Sequence, residues 1–211
     1  MIGTDRGTSM DTHPLQKHDR FHIRQKQKLM VIRYHVYADD GQGQPGELVA
    51  FIEEKRLTFK ENATFYTDES KETVLSRFRS RKVEELSSAY VVLGEDDEEL
   101  GSFGKKFGKS FYRSTWVLDQ DGRERLTVSE RSQKMAWFRR IWKLVPWPGD
   151  VEVPFFWKYH FDFTRGEDEV VGALEKTARL SDNYLLRLDD DQVDRRVALA
   201  LAVGLDALQY N

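Results

Sequence analysis

The chain has 211 residues, 33 of them basic and 36 acidic, a net charge of −3 and no cysteine. Near-balanced charge argues against a nucleic-acid binder, which carries a basic excess. The missing cysteines exclude disulfides, thiolate metal sites and cysteine nucleophiles, and they fit a reducing, cytoplasmic setting.

The opening "MIGTDRGTSMDTHPLQKH" (1–18) has no apolar core and reads as a disordered leader before a single domain over 19–211. Turn signals then recur at short intervals, with strand patterns between them. The first are "FHIR" (21–24), "MVIRYHVYA" (30–38) and "ELVAFIEE" (47–54). In the second, alternation puts Met30, Ile32, Tyr34 and Val36 on one face.

Between these strands "YADDGQGQPGELVAF" contains Gly41, Gly43 and Gly46 in the spacing of a dinucleotide-binding fingerprint. That fingerprint needs a helix whose first N–H groups hold the phosphates. Here Pro45 removes a donor and no helical stripe follows, so the stretch reads as a hairpin turn.

The middle strands are 63–68, 72–80, 89–94, 100–107, 112–119 and 125–131, and the later ones 154–163, 169–176 and 183–188. About twelve short strands is the pattern of a sandwich or barrel. Four stretches, 34–57, 90–107, 116–131 and 159–180, share one plan. An aromatic-led strand meets an acidic or glycine turn, and an apolar strand follows and ends in charge. The first carries the glycine spacing and the others do not, which favours turn chemistry.

Two segments break the β rhythm. In "KMAWFRRIWKLVPWP" (134–148) a helical projection puts Met135, Trp137, Phe138, Ile141, Trp142, Leu144 and Val145 on one half and Arg139, Arg140 and Lys143 on the other. A basic, Trp-bearing amphipathic helix fits a membrane interface. More commonly such a helix packs its apolar face on its own domain, here as a plug of the barrel end, and less commonly it meets a partner protein. Lys105, Lys106 and Lys109 around one turn, and Arg24, Lys26 and Lys28 near the start, could add to such a surface.

The second segment is the tail. From Val197 to Leu208 only Gly204 and Asp206 interrupt an apolar run. A helix apolar on every side is buried all round. Twelve residues span about 18 Å, too short for a bilayer core of about 30 Å. A closed antiparallel barrel of about twelve strands with this helix buried at its centre is therefore expected: all-β with a central helix.

"FHIRQKQKLM" with "RYHVYADDG", "YVVLGEDDEELGSFGKKF" and "SDNYLLRLDDDQVDRRVALALAVGLDAL" together resemble the tubby C-terminal-like group. That group includes the LURP-one-related proteins and the phospholipid scramblases. The resemblance implies a twelve-stranded barrel around a hydrophobic helix, and roles tied to membranes such as phosphoinositide anchoring. Two scramblase features, a proline-rich leader and a cysteine-rich stretch, are absent. Asp182, Asp189, Asp190 and Asp191 occupy the scramblase calcium segment, but neither the turn glycine nor the closing glutamate follows, so no metal is expected.

No G-x-S-x-G, H-E-x-x-H or Walker A motif occurs, and the five histidines do not cluster. His35 and His160 read as surface strand residues. The expectation is a non-catalytic module without cofactor, peripheral at the inner face of the membrane, that binds anionic phospholipid. Its site would comprise Trp137, Arg139, Arg140, Trp142, Lys143, Lys105, Lys106 and Lys109. The alternative is a structural or protein-interaction scaffold with no lipid role. A barrel carrying an apolar ligand ranks third, since the helix would fill the interior.

Overall fold

The computed structural model describes residues 13–27, 30–55, 61–84, 86–106, 115–131, 160–177 and 183–209. Twelve strands and one α-helix lie among the described residues. They are β1 (Arg20–Gln27), β2 (Val31–Asp39), β3 (Pro45–Lys55), β4 (Asn62–Tyr66), β5 (Val74–Arg81) and β6 (Leu86–Leu93), then β7 (Glu99–Lys106), β8 (Thr115–Asp119), β9 (Leu126–Glu130), β10 (His160–Arg165), β11 (Glu169–Lys176), β12 (Asn183–Leu188) and α1 (Arg195–Gln209). A 3-10 turn over Pro14–Lys17 precedes β1.

Each strand pairs antiparallel with the next in sequence, and β1 closes the cylinder on β12. At the seam Ile23 lies opposite Val36 of β2 on one side and Tyr184 of β12 on the other. Closure gives every strand a neighbour on each side. Side-chain direction follows the period of two. Ile32, Tyr34, Val36 and Ala38 of β2 are buried, as are Tyr184, Leu186 and Leu188 of β12.

These inward rows meet α1. Val197, Leu199, Leu201, Val203 and Leu205 are fully buried, each contributing about 1.5–3 kcal/mol on leaving water. The helix and the strands' inner faces form one apolar core. Aromatic rings thicken it where Phe78 packs edge-on against Tyr90 and Phe103, at centroid distances of 5.5 and 5.6 Å. Among the described residues no helix is long and apolar enough to cross a membrane.

The glycine-rich stretch is the β2–β3 turn. Gly41 and Gly43 take φ of +85° and +81°, a left-handed conformation that costs glycine little. The carboxylate of Asp39 accepts from the N–H groups of Gly41 at 2.8 Å and Gly43 at 3.2 Å, so the donors a phosphate would need are already engaged.

Three expectations change. Met30 is 65% exposed and lies in the β1–β2 turn, so the inward row of β2 begins at Ile32. His35 points outward but is 4% exposed, because Phe51 packs edge-on against its ring and Glu69 bonds its Nε2 at 3.1 Å. Residues 13–18, expected within the leader, fold onto the barrel, with Leu15 buried. The strand expected over 154–163 is seen from His160, and its first six residues fall outside the described ones.

Candidate functional site

An up-and-down barrel sends its connections alternately to two ends. The β2–β3, β4–β5, β6–β7, β8–β9, β10–β11 and β12–α1 turns meet at one end. Exposed carboxylates stand in every one: Asp40; Asp68, Glu69 and Glu72; Glu95, Asp96 and Asp97; Asp121 and Glu124; Glu167, Asp168 and Glu169; Asp189 and Asp191. Many of the acids shape the turns. The Asp40 carboxylate accepts from the N–H of Gln42 at 2.7 Å, Asp68 from Ser70 at 2.7 Å and Asp190 from Gln192 at 2.9 Å.

The start of α1 is tied down at this acidic rim. Asp194 caps it, accepting from the Arg196 N–H at 2.8 Å and from the buried Arg196 guanidinium at 2.7 Å. Arg195 donates to the carbonyls of His18 at 2.8 Å, Asp190 at 2.6 Å and Val193 at 2.8 Å. The 3-10 turn completes the closure, as Gln16 donates to the carbonyls of Val193, at 3.1 Å, and Asp191. His13 Nδ1 accepts from the Leu15 N–H at 3.2 Å. Burial holds the His13 pKa below its ordinary value, and Arg196 adds to the effect.

At the opposite end lie the last residues of β1, β3, β5 and β7 and the first residues of β2, β4 and β6. Lys26, Lys55, Lys82, Lys105 and Lys106 stand exposed there, along one arc from β1 to β7. Glu61 and Glu84 are the exposed acids of that arc among the described residues. Met30, 65% exposed, and Val83, 39% exposed, sit in the β1–β2 and β5–β6 turns between those lysines. An eight-residue strand tilted as barrel strands are separates the rims by about 20 Å.

Several basic residues of the barrel wall pair with acids. Arg33 pairs with Glu53, which also holds Lys71 at 2.8 Å. Those two partners, Lys71 first, keep the Glu53 pKa below its ordinary value. Arg77 pairs with Asp97 at 3.3 Å, and Arg131 with Asp162 at 2.7 Å and Glu175 at 3.0 Å. Arg81 reaches back along the wall to Glu99 at 3.2 Å.

Inside the same end, α1 finishes in a polar anchor. Asp206 is buried and accepts from the hydroxyls of Tyr34, at 2.7 Å, and Tyr184. Gln25 donates to the Tyr34 oxygen at 2.8 Å. The anchor fixes how deeply the helix sits.

Of the expected site residues, the structure places Lys105 and Lys106 on the arc, at the end of β7. Lys109, Trp137, Arg139, Arg140, Trp142 and Lys143 lie outside the described residues. The segment that carries the last five leaves from the end of β9 and returns at the start of β10, so both its anchoring points are on the lysine end. Arg24 and Lys26 are exposed on β1, Arg24 with its guanidinium 5.4 Å from the Tyr37 ring. The sequence reading missed Lys55, Lys82, Met30 and Val83. Assigning alternate turns to opposite ends would have found them.

Among the described residues no three His, Asp or Glu side chains are grouped to hold a metal. A family model described as LURP-one-related matches residues 48–206. No curated protein and no solved structure matches the chain.

Proposed function

The chain belongs to the LURP-one-related family, within the tubby-like superfamily, and on that premise we propose that it is a non-catalytic module that binds anionic phospholipid at the inner face of a membrane. The observation that carries the reading is the sorting of charge along the barrel. Lysines collect at one end while carboxylates fill every turn at the other. Each Lys or Arg near an anionic leaflet contributes about 1 kcal/mol.

Lys26, Lys55, Lys82, Lys105 and Lys106 supply the charge on the described surface. The chain between β9 and β10 carries Arg139, Arg140 and Lys143 in its sequence, with Trp137 and Trp142 of the residue type suited to a headgroup region. Acids on the far rim lie beyond the Debye length of about 8 Å and do not oppose the contact.

Vesicle sedimentation tests the proposal. The protein is expected to pellet with phosphatidylcholine vesicles that contain phosphatidylserine or a phosphoinositide and to stay in solution with phosphatidylcholine alone. Equal pelleting with both, or none with either, would remove the lipid role and leave a protein-interaction scaffold.

A further inference from the structure

We infer that Asp121–Gly122, in the β8–β9 turn, is a site of spontaneous modification at which aspartate converts to isoaspartate through a cyclic imide. The same dipeptide in the β2–β3 turn, Asp40–Gly41, is protected by its hydrogen bonds. The site is independent of the lipid contact.

The chemistry needs no partner molecule. The main-chain nitrogen of the glycine attacks Cγ of the aspartate side chain. A C–N bond forms, and the hydroxyl of the protonated carboxyl leaves with the amide hydrogen as water. The five-membered imide then takes up water at either of its carbonyls. Opening at Cγ restores aspartate. Opening at the main-chain carbonyl leaves isoaspartate, whose peptide bond runs through the former side chain. Nothing is oxidised or reduced. Glycine favours the attack because it has no side chain to shield its nitrogen. Two freedoms are required: the carboxyl must swing onto the next residue's nitrogen, and that N–H must not be donated elsewhere.

Access to water does not separate the two dipeptides. Asp40, Gly41, Asp121 and Gly122 are all exposed, and a β-carbon on either glycine would meet nothing within 4 Å. Hydrogen bonding does separate them. The Asp40 carboxylate accepts from the N–H groups of Gln42 at 2.7 Å and Gln44 at 3.1 Å. The Gly41 N–H donates to Asp39 at 2.8 Å, and Asp39 is itself fixed by His22 Nε2 at 2.8 Å. Both reacting groups are engaged, so this turn must open before the imide can close.

The β8–β9 turn is closed by the Arg123 N–H on the Gln120 carbonyl, at 3.1 Å. Neither the Asp121 carboxylate nor the Gly122 N–H has a partner among the described residues. Arg125 gives its guanidinium to Asp119 instead. Isoaspartate at 121 lengthens the main chain next to Gln120, whose Oε1 accepts from the Asp194 N–H at 3.4 Å. The modification therefore reaches the start of α1.

The parent protein and Asp121→Glu are incubated at neutral pH and body temperature, once folded and once in urea that unfolds the chain. Methyl transfer by an isoaspartyl methyltransferase counts the product, and mass spectrometry of tryptic peptides locates it. Cleavage after Lys55 and after Arg123 puts the two sites in separate peptides. In the folded protein, isoaspartate is expected to form at 121 at least tenfold faster than at 40, a ratio equivalent to about 1.4 kcal/mol of turn opening. In urea the two rates should agree within threefold. Asp121→Glu, which would need a six-membered ring, should lose most of the methyl-accepting sites of the folded protein. Equal rates at 40 and 121 in the folded protein, or methyl acceptance unchanged by Asp121→Glu, would overturn the assignment. A tenfold difference that persists in urea would assign the contrast to flanking sequence and overturn it equally.

Discussion

Tyr34, near the start of β2, donates its phenolic hydrogen to Asp206 on α1 at 2.7 Å, joining residues 172 apart in sequence. Tyr184 of β12 bonds the other oxygen of the same carboxylate. One buried acid thus ties the helix to two adjoining parts of the barrel wall around the β1 seam. Asp206→Ala removes the buried carboxylate to which both phenols donate. It is expected to cost about 2–4 kcal/mol, since an unmet buried polar group costs about 1–3 kcal/mol. Tyr34→Phe removes a single donor to that carboxylate and should cost less, about 1–2 kcal/mol. Urea unfolding followed by circular dichroism ranks the two; equal and negligible losses would show that the anchor contributes nothing.

The helix is also the centre of the apolar core. Leu201→Ala is expected to lose about 2–5 kcal/mol, because a fully buried leucine leaves a cavity that a closed barrel cannot collapse around. Domains are held by about 5–15 kcal/mol, so the urea midpoint should fall visibly. A change under about 0.5 kcal/mol, the range of ordinary surface substitutions, would place Leu201 outside the packed core.

Closure of the acidic rim is expected to depend on pH through His13. Its folded pKa lies below the ordinary value of 6.5, through burial first and Arg196 second, while Asp194, Glu95 and Glu98 pull the other way. The folded state therefore binds the proton less readily than the unfolded state. The stability that the neutral ring supports is complete above pH 6.5 and is lost as pH falls through the depressed folded value. Protonation also removes the Nδ1 acceptor from the Leu15 N–H. Compared with His13→Gln, the parent protein should lose stability as pH falls below the ordinary histidine value of 6.5. Parallel curves for the two proteins would exclude His13.

Much of the fold was legible because its signals are local. Alternation in β2 and β12, the acidic or glycine turns and the all-round apolar run of α1 each need only a short window. Together they specify a closed barrel with a filled centre. The resemblance to tubby-like proteins rested on the same stretches, and the family match takes in the later ones, from the β6–β7 stretch to α1. The face assigned to Met30 failed because alternation alone does not say where a strand begins. His35 was misread because its cover, Phe51 and Glu69, comes from β3 and the β4–β5 turn. Lys105 and Lys106 were visible as a basic cluster. Lys55 and Lys82 stand alone in sequence, and only strand direction brings them to the same rim.

Salt separates the proposed contact from apolar adhesion. Binding to anionic vesicles should weaken several-fold as salt rises from about 0.01 M to about 0.15 M, where the Debye length shrinks from about 30 Å to about 8 Å. Salt-independent binding would assign the affinity to the tryptophans rather than to the lysine arc.

The most direct measurement replaces Lys26, Lys82 and Lys106 by glutamine and compares this variant with Glu95→Gln/Asp168→Asn in sedimentation with phosphatidylserine-containing vesicles. All these residues are exposed. At about 1 kcal/mol per lysine the triple variant should bind about a hundredfold more weakly than the parent protein, while the acidic-rim variant binds as the parent does. Equal binding by all three proteins would contradict the assignment of the lysine end as the membrane-facing surface.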